Sequence, residues 1–386
     1  MSGWRECSLS EIAEINPTEK LAKNTVAPKI SMENLQPFTK KPNGQSLEKY
    51  NGGTKFRNGD TLLARITPCL ENGKTAYVNI LKDDEIGFGS TEYIILREKT
   101  GLSDKQFLYY FARSDEFREV AIASMTGSSG RQRVQTEVVT QHKFLLPPLP
   151  EQKAIADVLS ALDDKIDLLH RQNHTLEQMA ETLFRQWFVE EAQEDWEEKP
   201  LSSIATFTNG LACQKFPVQI GEQGLPVLKI KELTSGISDS SDWATETVKS
   251  EYIVENGDII FAWSASLMVK IWSGQKCVLN QHLFNVKSKY YPKWFYYEWC
   301  KFHLAEFISV AQSHATTMGH IKRKDLDEAM VKIPSSETLA TMSQTMKPLL
   351  DKRIINSQQI QTLETLRDTL LPKLISGEVR VAFQTA

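Results

Sequence analysis

The chain has 386 residues, enough for two or more domains, and carries 45 basic against 49 acidic side chains, a formal net charge of −4. Its five cysteines (Cys7, Cys69, Cys213, Cys277, Cys300) are scattered without a CxxC pair, which argues against a disulfide framework or a thiolate zinc site and suits a reducing cytoplasm. The opening MSGWRECSLSEI lacks the apolar run of a secretory leader, and no stretch of about 18 apolar residues is present to cross a membrane, so a cytoplasmic protein is expected.

Residues 1–147 read as a mixed α/β domain. Short alternating runs bounded by Gly, Asn and Pro, such as TLLARI, TAYVNI and TEYIIL, predict strands. A helical stretch, DKQFLYYFARSDEFREVAIA, carries aromatics at helical spacing; core packing is the favoured reading, a stacking platform for bases the other. A small-residue loop follows, SMTGSSGRQRV. Its Gly and Ser let backbone approach a polyanion, and Ser128, Ser129, Arg131, Gln132 and Arg133 supply donors for phosphates and base edges. A solvated basic turn is the plainer alternative. Arg65, at the end of the GDTLLAR strand, and Lys74 are further candidates.

Residues 148–190 read as a long helix entered through LPPLPEQ. Apolar or small residues at Ile155, Leu159, Leu162, Ile166, Leu169, Leu176, Ala180, Leu183 and Trp187 alternate steps of four and three, the 3.5-residue repeat of a coiled-coil seam. Only Asn173 interrupts it, and one buried Asn is a known way to hold register. Pro150 suits a first helical position. About 40 residues at 1.5 Å each make a rod of roughly 60 Å.

Residues 191–334 repeat the first domain. WEEKPLSSIATF matches WRECSLSEIAEI, VENGDIIFAW matches FRNGDTLLAR at an offset of 198, and the copies then keep an offset of 187 from Tyr109 through Leu183. Such self-similarity marks a duplicated unit, a globular part followed by a long helix. PVLKI, DIIFAW and LFNVK predict strands, and PKWFYYEWCKFHLAEFISVA the counterpart helix. The loop recurs as SHATTMGHIKRK, with Thr317, His320, Lys322 and Arg323 as donors. Trp263, Gln281 and His282 complete the second set of candidates.

Residues 335–377 read as the second rod, with its seam at Met342, Met346, Leu349, Arg353, Asn356, Ile360, Leu363, Arg367, Leu370 and Leu374. Ser335 or Ser336 caps its start, and Pro372 with Gly377 is expected to mark its end. Running back along the first rod, it makes an antiparallel pair with one domain at each end. The tail, residues 378–386, should then pack near the N-terminus. The expected class is α+β: two pseudo-symmetric mixed α/β domains held apart by two long antiparallel coiled-coil helices.

Charge sits unevenly on this plan. Residues 1–150 carry 20 basic and 18 acidic residues, 200–334 carry 14 and 13, but 151–199 carry 5 and 13. Nearly neutral domains gain little from counterion release alone, so a nucleic-acid reading requires partner subunits to supply most phosphate contacts.

Taken together, LPPLPEQKAIADVLSALDDKI, NHTLEQMAETLFRQWFV and LETLRDTLLPKLISGEV resemble the two conserved-region helices of the DNA-specificity subunit of type I restriction–modification systems, and the duplicated domains resemble its target-recognition domains. The resemblance covers essentially the whole chain. It implies a bacterial defence protein in which each domain reads half of a split double-stranded DNA target. It further implies that the helix pair sets the gap and docks two modification subunits. Those bind S-adenosylmethionine and methylate adenine N6, and motor/nuclease restriction subunits join them. No chemistry of this chain's own is expected. Asn16-Pro17-Thr18-Glu19 is not an amino-methyltransferase motif, and NGKT at 72–75 has Pro68 where a P-loop needs its first Gly. His170 and His174, four apart on the helix, lack a further metal ligand. No catalytic residue, cofactor or metal site is therefore assigned. A non-catalytic coiled-coil scaffold with two protein-binding heads is the alternative; it leaves the paired basic loops unexplained.

Overall fold

A computed structural model describes residues 3–313 and 319–382. The chain divides into two compact units, residues 1–166 with 363–386, and residues 167–362. The division runs through the two long helices, Leu149–Arg185 and Ser336–Ile375, so each helix contributes to both units.

In the first unit, Arg5–Ser8 pairs antiparallel with Lys143–Leu146. A four-stranded antiparallel sheet has the order Ala13–Ile15, Tyr93–Glu98, Thr61–Ala64, Thr75–Tyr77. A second sheet has the order Ser46–Lys49, Val26–Ile30, Gly87–Gly89, Thr54–Phe56, its two inner strands parallel. The second unit repeats this plan strand for strand. Glu197–Pro200 pairs with Met330–Ile333. The antiparallel sheet runs Thr206–Asn209, Leu283–Lys287, Ile259–Ala262, Met268–Ile271. The mixed sheet runs Trp243–Ala244, Leu225–Leu228, Cys277–Leu279, Ile253–Val254, again parallel at its centre. The duplication read from scattered matches is thus a duplication of topology.

The aromatic helix of each unit is two helices. In the first, Lys105–Arg113 is capped by Asp104, whose carboxylate accepts from the amides of Gln106 and Phe107. It breaks at Ser114, which is extended (ψ 149°) and caps Asp115–Ala123 through the Phe117 amide. The counterparts are Lys293–Phe302 and Leu304–Ser313. Phe107, Tyr109, Tyr110, Phe111 and Phe117 are buried, as are Trp294, Phe295, Tyr296, Tyr297 and Trp299, so these rings are core and not a base platform.

The core of the first unit joins these aromatics to Ile155, Ala156 and Leu159 from the start of the first long helix and to Leu371, Leu374 and Ile375 from the end of the second. The second unit joins Ala180, Phe184 and Phe188 from the end of the first long helix to Met346 and Leu350 near the start of the second. Within each unit the predicted seam is buried or partly buried at every position. The helices are also more than a seam: Ser160, Asp163 and Phe184 bury a second stripe against the domain cores.

Two local expectations change. The first helix ends in a wider π turn, Gln186–Glu190, that seats Phe188 among Phe184, Trp196, Trp294, Phe295 and Trp299. Pro372 does not end the second helix, which continues through it to Ile375, as it also passes through Pro348. Buried neighbours hold these turns despite the missing amide. The stop is Gly377 alone, in the left-handed region (φ 75°), where the Val379 amide donates back to the Lys373 carbonyl. The start is capped by Ser335, whose hydroxyl accepts from the Thr338 amide.

Past Gly377, Arg380 pairs with the fully buried carboxylate of Glu151 and lies over the Trp4 ring at 5.3 Å, while the Trp4 indole N–H donates to the same carboxylate at 2.9 Å. Residues 383–386 lie outside the described residues.

Candidate nucleic-acid interface

The loop after the aromatic helices in the first unit is tied to the end of the Thr61–Ala64 strand. Thr126 and Arg133 exchange backbone hydrogen bonds at 3.0 and 2.9 Å, and Arg131 closes a turn onto the Ser128 carbonyl. Gly127 is needed there: it lies at φ 132°, and a Cβ on it would meet the Arg131 carbonyl at 3.1 Å. The Val134 amide donates to the Arg65 carbonyl at 2.8 Å, the Thr67 amide to Gln132, and the Arg65 amide to Glu92 at 3.0 Å. Three separate stretches therefore meet at Arg65, Glu92 and Arg133.

The Arg133 guanidinium grips Glu92 through Nε (3.0 Å to each oxygen) and Nη2 (2.7 Å). Arg65 Nε lies 3.7 Å from the same carboxylate. Hydrogen bonds from Arg133, opposed by partial burial and helped by both positive charges, hold the Glu92 carboxyl below its ordinary range. Two cations on one anion leave a net positive group at the surface.

The second unit builds the same frame from different side chains. The Ile321 amide donates to the Trp263 carbonyl (3.1 Å), the Trp263 amide to His282 (3.4 Å), and the Ala265 amide to Gly319 (2.9 Å). Ser264 pairs with His320 as Ile66 pairs with Arg133. Arg65, Glu92 and Arg133 thus correspond by backbone position to Trp263, His282 and His320. Trp263 lies 6.1 Å from the His282 ring and 6.3 Å from His320, stacks on Phe284, and donates from its indole to Asn209 at 3.2 Å. His282 Nδ1 shares a hydrogen bond with Ser264 Oγ (3.1 Å), and its Nε2 lies 3.4 Å from Gln281.

Of the residues proposed from sequence, Arg65 and Arg133 come together, as do Trp263, Gln281, His282 and His320. Ser128, Ser129 and Arg131 are exposed on the adjoining turn, with Gln132 partly buried beside them. Lys74 is not brought to this group; its ammonium donates to the Met32 carbonyl at 2.9 Å. Lys322 and Arg323 start the helix Arg323–Glu328, directly after Ile321. Arg323 lines a pocket with Ser202, Thr206, Phe207 and Asp327. Thr317 lies outside the described residues. Sequence reasoning missed Glu92, Asn209 and Ser264. The signal for Glu92 was strand pairing: it enters the Tyr93–Glu98 strand as His282 enters Leu283–Lys287.

Among the described residues no group of three or more His, Cys, Asp or Glu is placed to hold a metal ion, and no helix is long and apolar enough to cross a membrane.

A family described as the type I restriction modification DNA specificity domain matches residues 1–178 and again residues 193–365. The chain belongs to this family. Its two matches coincide with the two copies of the repeat. Among curated relatives, it is 32% identical over 209 residues to the specificity subunit of the type I restriction enzyme EcoAI of Escherichia coli, covering 50% of this chain and 35% of that one. It is 27% identical over 303 residues to the specificity subunit of MjaIX from Methanocaldococcus jannaschii, covering 72% and 69%. The match thus spans about a third of the Escherichia coli relative's length. A solved type I restriction–modification S subunit from M. genitalium superposes with a TM-score of 0.58 at 17% identity, over 97% of this chain and 96% of that one, which establishes a shared fold.

Proposed function

We propose that this chain reads a split double-stranded DNA target, one half per unit, and brings partner subunits to it without performing chemistry itself. The supporting observation is that one backbone frame, built twice, presents Arg/Glu/Arg in one unit and Trp/His/His in the other. A frame kept constant while its side chains change suits recognition of two different half-sequences: fixed backbone sets position, and side chains select bases. The domain plan that goes with it is residues 1–147 and 191–334 as recognition domains, 148–190 and 335–377 as spacer helices, and 378–386 as a tail lying near the N-terminus. Two modification subunits, carrying the S-adenosylmethionine, dock on the spacer helices, and motor/nuclease subunits complete a cytoplasmic restriction complex.

The test is retention of a duplex library by the full chain assembled with its modification subunit, across a salt series. Sequence-selective, salt-sensitive retention is expected. Arg131→Ala with Arg133→Ala should damage one half-site only, by roughly 1–3 kcal/mol for each base-reading side chain removed, and Lys322→Ala with Arg323→Ala the other. Wild-type binding by both double variants would refute the loop assignment, and indifference to sequence by the assembled wild type would refute the function.

A further inference from the structure

We infer that Arg133 reads a guanine in the half-site taken by the first unit, and that Glu92 is the positioning residue that aims it. This rests on the duplex-recognition reading and adds a base and two residues to it.

The donor inventory of Arg133 carries the assignment. A guanidinium has five N–H groups in a rigid plane. Nε–H and one Nη2–H are committed to Glu92, at 3.0 and 2.7 Å. The second Nη2–H and the two on Nη1 remain; one from each nitrogen forms the end-on fork, and no hydrogen bond among the described residues takes it up. That edge matches the O6 and N7 acceptors of guanine, the commonest specific pairing in the major groove. The side chain is 45% exposed, so the fork is reachable.

Aim is supplied from both ends. Backbone bonds to Thr126 hold the Arg133 Cα in both directions, and the flanking Gln132 and Val134 are tied to Thr67 and Arg65. At the tip, the bidentate carboxylate sets the guanidinium plane. A long side chain clamped twice loses little further freedom on meeting a base, which is what separates base reading from a phosphate contact. Arg65, 3.7 Å from the same carboxylate, keeps the group net positive and so compatible with a polyanion. Arg131 is the internal contrast: exposed, on a turn, and with no clamping carboxylate among the described residues, it has the character of a phosphate contact. The second unit places His320 and His282 at the equivalent addresses, neither of which carries such a fork. The guanine requirement should therefore belong to one half-site.

The experiment selects bound duplexes from a randomised library using the full chain assembled with its modification subunit. Wild type should select guanine at one position of one half-site. Arg133→Ala should reduce that preference roughly 5- to 150-fold, and Arg133→Lys should not restore it, because an ammonium lacks the fork. Glu92→Gln should erode the preference at the same position and no other, adding nothing in the Arg133→Ala background; a purely structural Glu92 would instead weaken binding without singling out one base. Arg131→Ala should lower affinity evenly across sequences and reduce the salt slope by about one. The other half-site serves as the folding control for every variant. A two-part motif that Arg133→Ala leaves intact overturns this assignment alone, as does a Glu92→Gln effect in both halves. Absence of any motif for wild type overturns the recognition reading beneath it. Should Glu92→Gln fail to assemble, the exposed Arg133→Ala and Arg133→Lys pair still decides the guanine.

Discussion

Arg353 and Arg367 occupy seam positions where a coiled coil prefers aliphatics, and each meets an acid from the first long helix. In the first unit, Arg367 Nη1 lies 2.7 Å from Asp163, both side chains 5% exposed, with Asp368 on its other edge. In the second, Arg353 Nη2 lies 3.1 Å from Glu177, which also takes Lys301 at 2.9 Å. Removing one member of such a pair leaves an uncompensated buried charge. Beside this group sits Glu298, 3% exposed and 3.6 Å from Lys301. Burial raises its carboxyl pKa, and the Lys301 and Arg353 charges only partly oppose this. An acid held more strongly protonated when folded contributes stability that is complete below the unfolded value, about 4.3, and is lost as the pH rises through the raised one. Glu177 is the reverse case: burial raises it, but Arg353 and Lys301 win and lower it, so its contribution is present above the unfolded value and lost in acid. Glu298→Gln should therefore match wild type in denaturant melts near pH 4. It should gain on wild type toward neutrality by up to about 1.4 kcal/mol per pH unit while Glu298 titrates. A constant offset at every pH would show that the carboxyl is not the titrating group.

For the helices, the informative break in the seam is Asn173. It meets Asn356, whose amide donates to it at 3.0 Å, while Asn173 donates to Ser357 at 3.1 Å. Asn356 is fully buried, and its carbonyl oxygen has no partner among the described residues, a cost that an aliphatic pair would avoid. A polar pair in an apolar seam penalises every register but one. Asn173→Leu with Asn356→Leu should raise the melting temperature of the second unit, by roughly 2–4 °C for each kcal/mol gained. It should also broaden helix hydrogen exchange into more than one population. Lower stability with a single exchange population would refute the register role.

At the scale of the whole chain, both long helices belong partly to each unit, and the ends of each helix are part of a domain core. Length added between the anchored ends therefore has to be expressed between the domains. Inserting one heptad after Leu169 and another after Asn356 keeps the seam in phase, leaves Asn173 opposite Asn356, and adds about 10 Å. At about 3.4 Å per base pair, the unspecified gap between half-sites should widen by roughly three base pairs. Affinity should fall as the domains absorb about 100° of added DNA twist. Selection from a random duplex library should return the same two half-sequences at a wider spacing; an unchanged gap, or altered half-sequences, would remove the helices as the ruler.

What the sequence determined by itself is what periodicity carries. The heptads of both helices, the duplication, and the strands TLLARI, DIIFAW and LFNVK are written in local spacing, and local spacing survives folding. It also placed Arg133 and His320 at the same point of two loops. Spacing does not say what a face packs against, so the wider buried stripe of the helices, the passage through Pro348 and Pro372, and the burial of the aromatic rings became clear only in three dimensions. The meeting of Arg65, Glu92 and Arg133 was beyond it for the same reason. Glu92 and Arg133 are 41 residues apart, and an acid at a surface proposed to meet DNA looks unfavourable until the strand register sets it between two arginines. Tertiary structure decided that, because hydrogen-bond register between distant strands, and not the identity of any one residue, chooses which side chains share a surface.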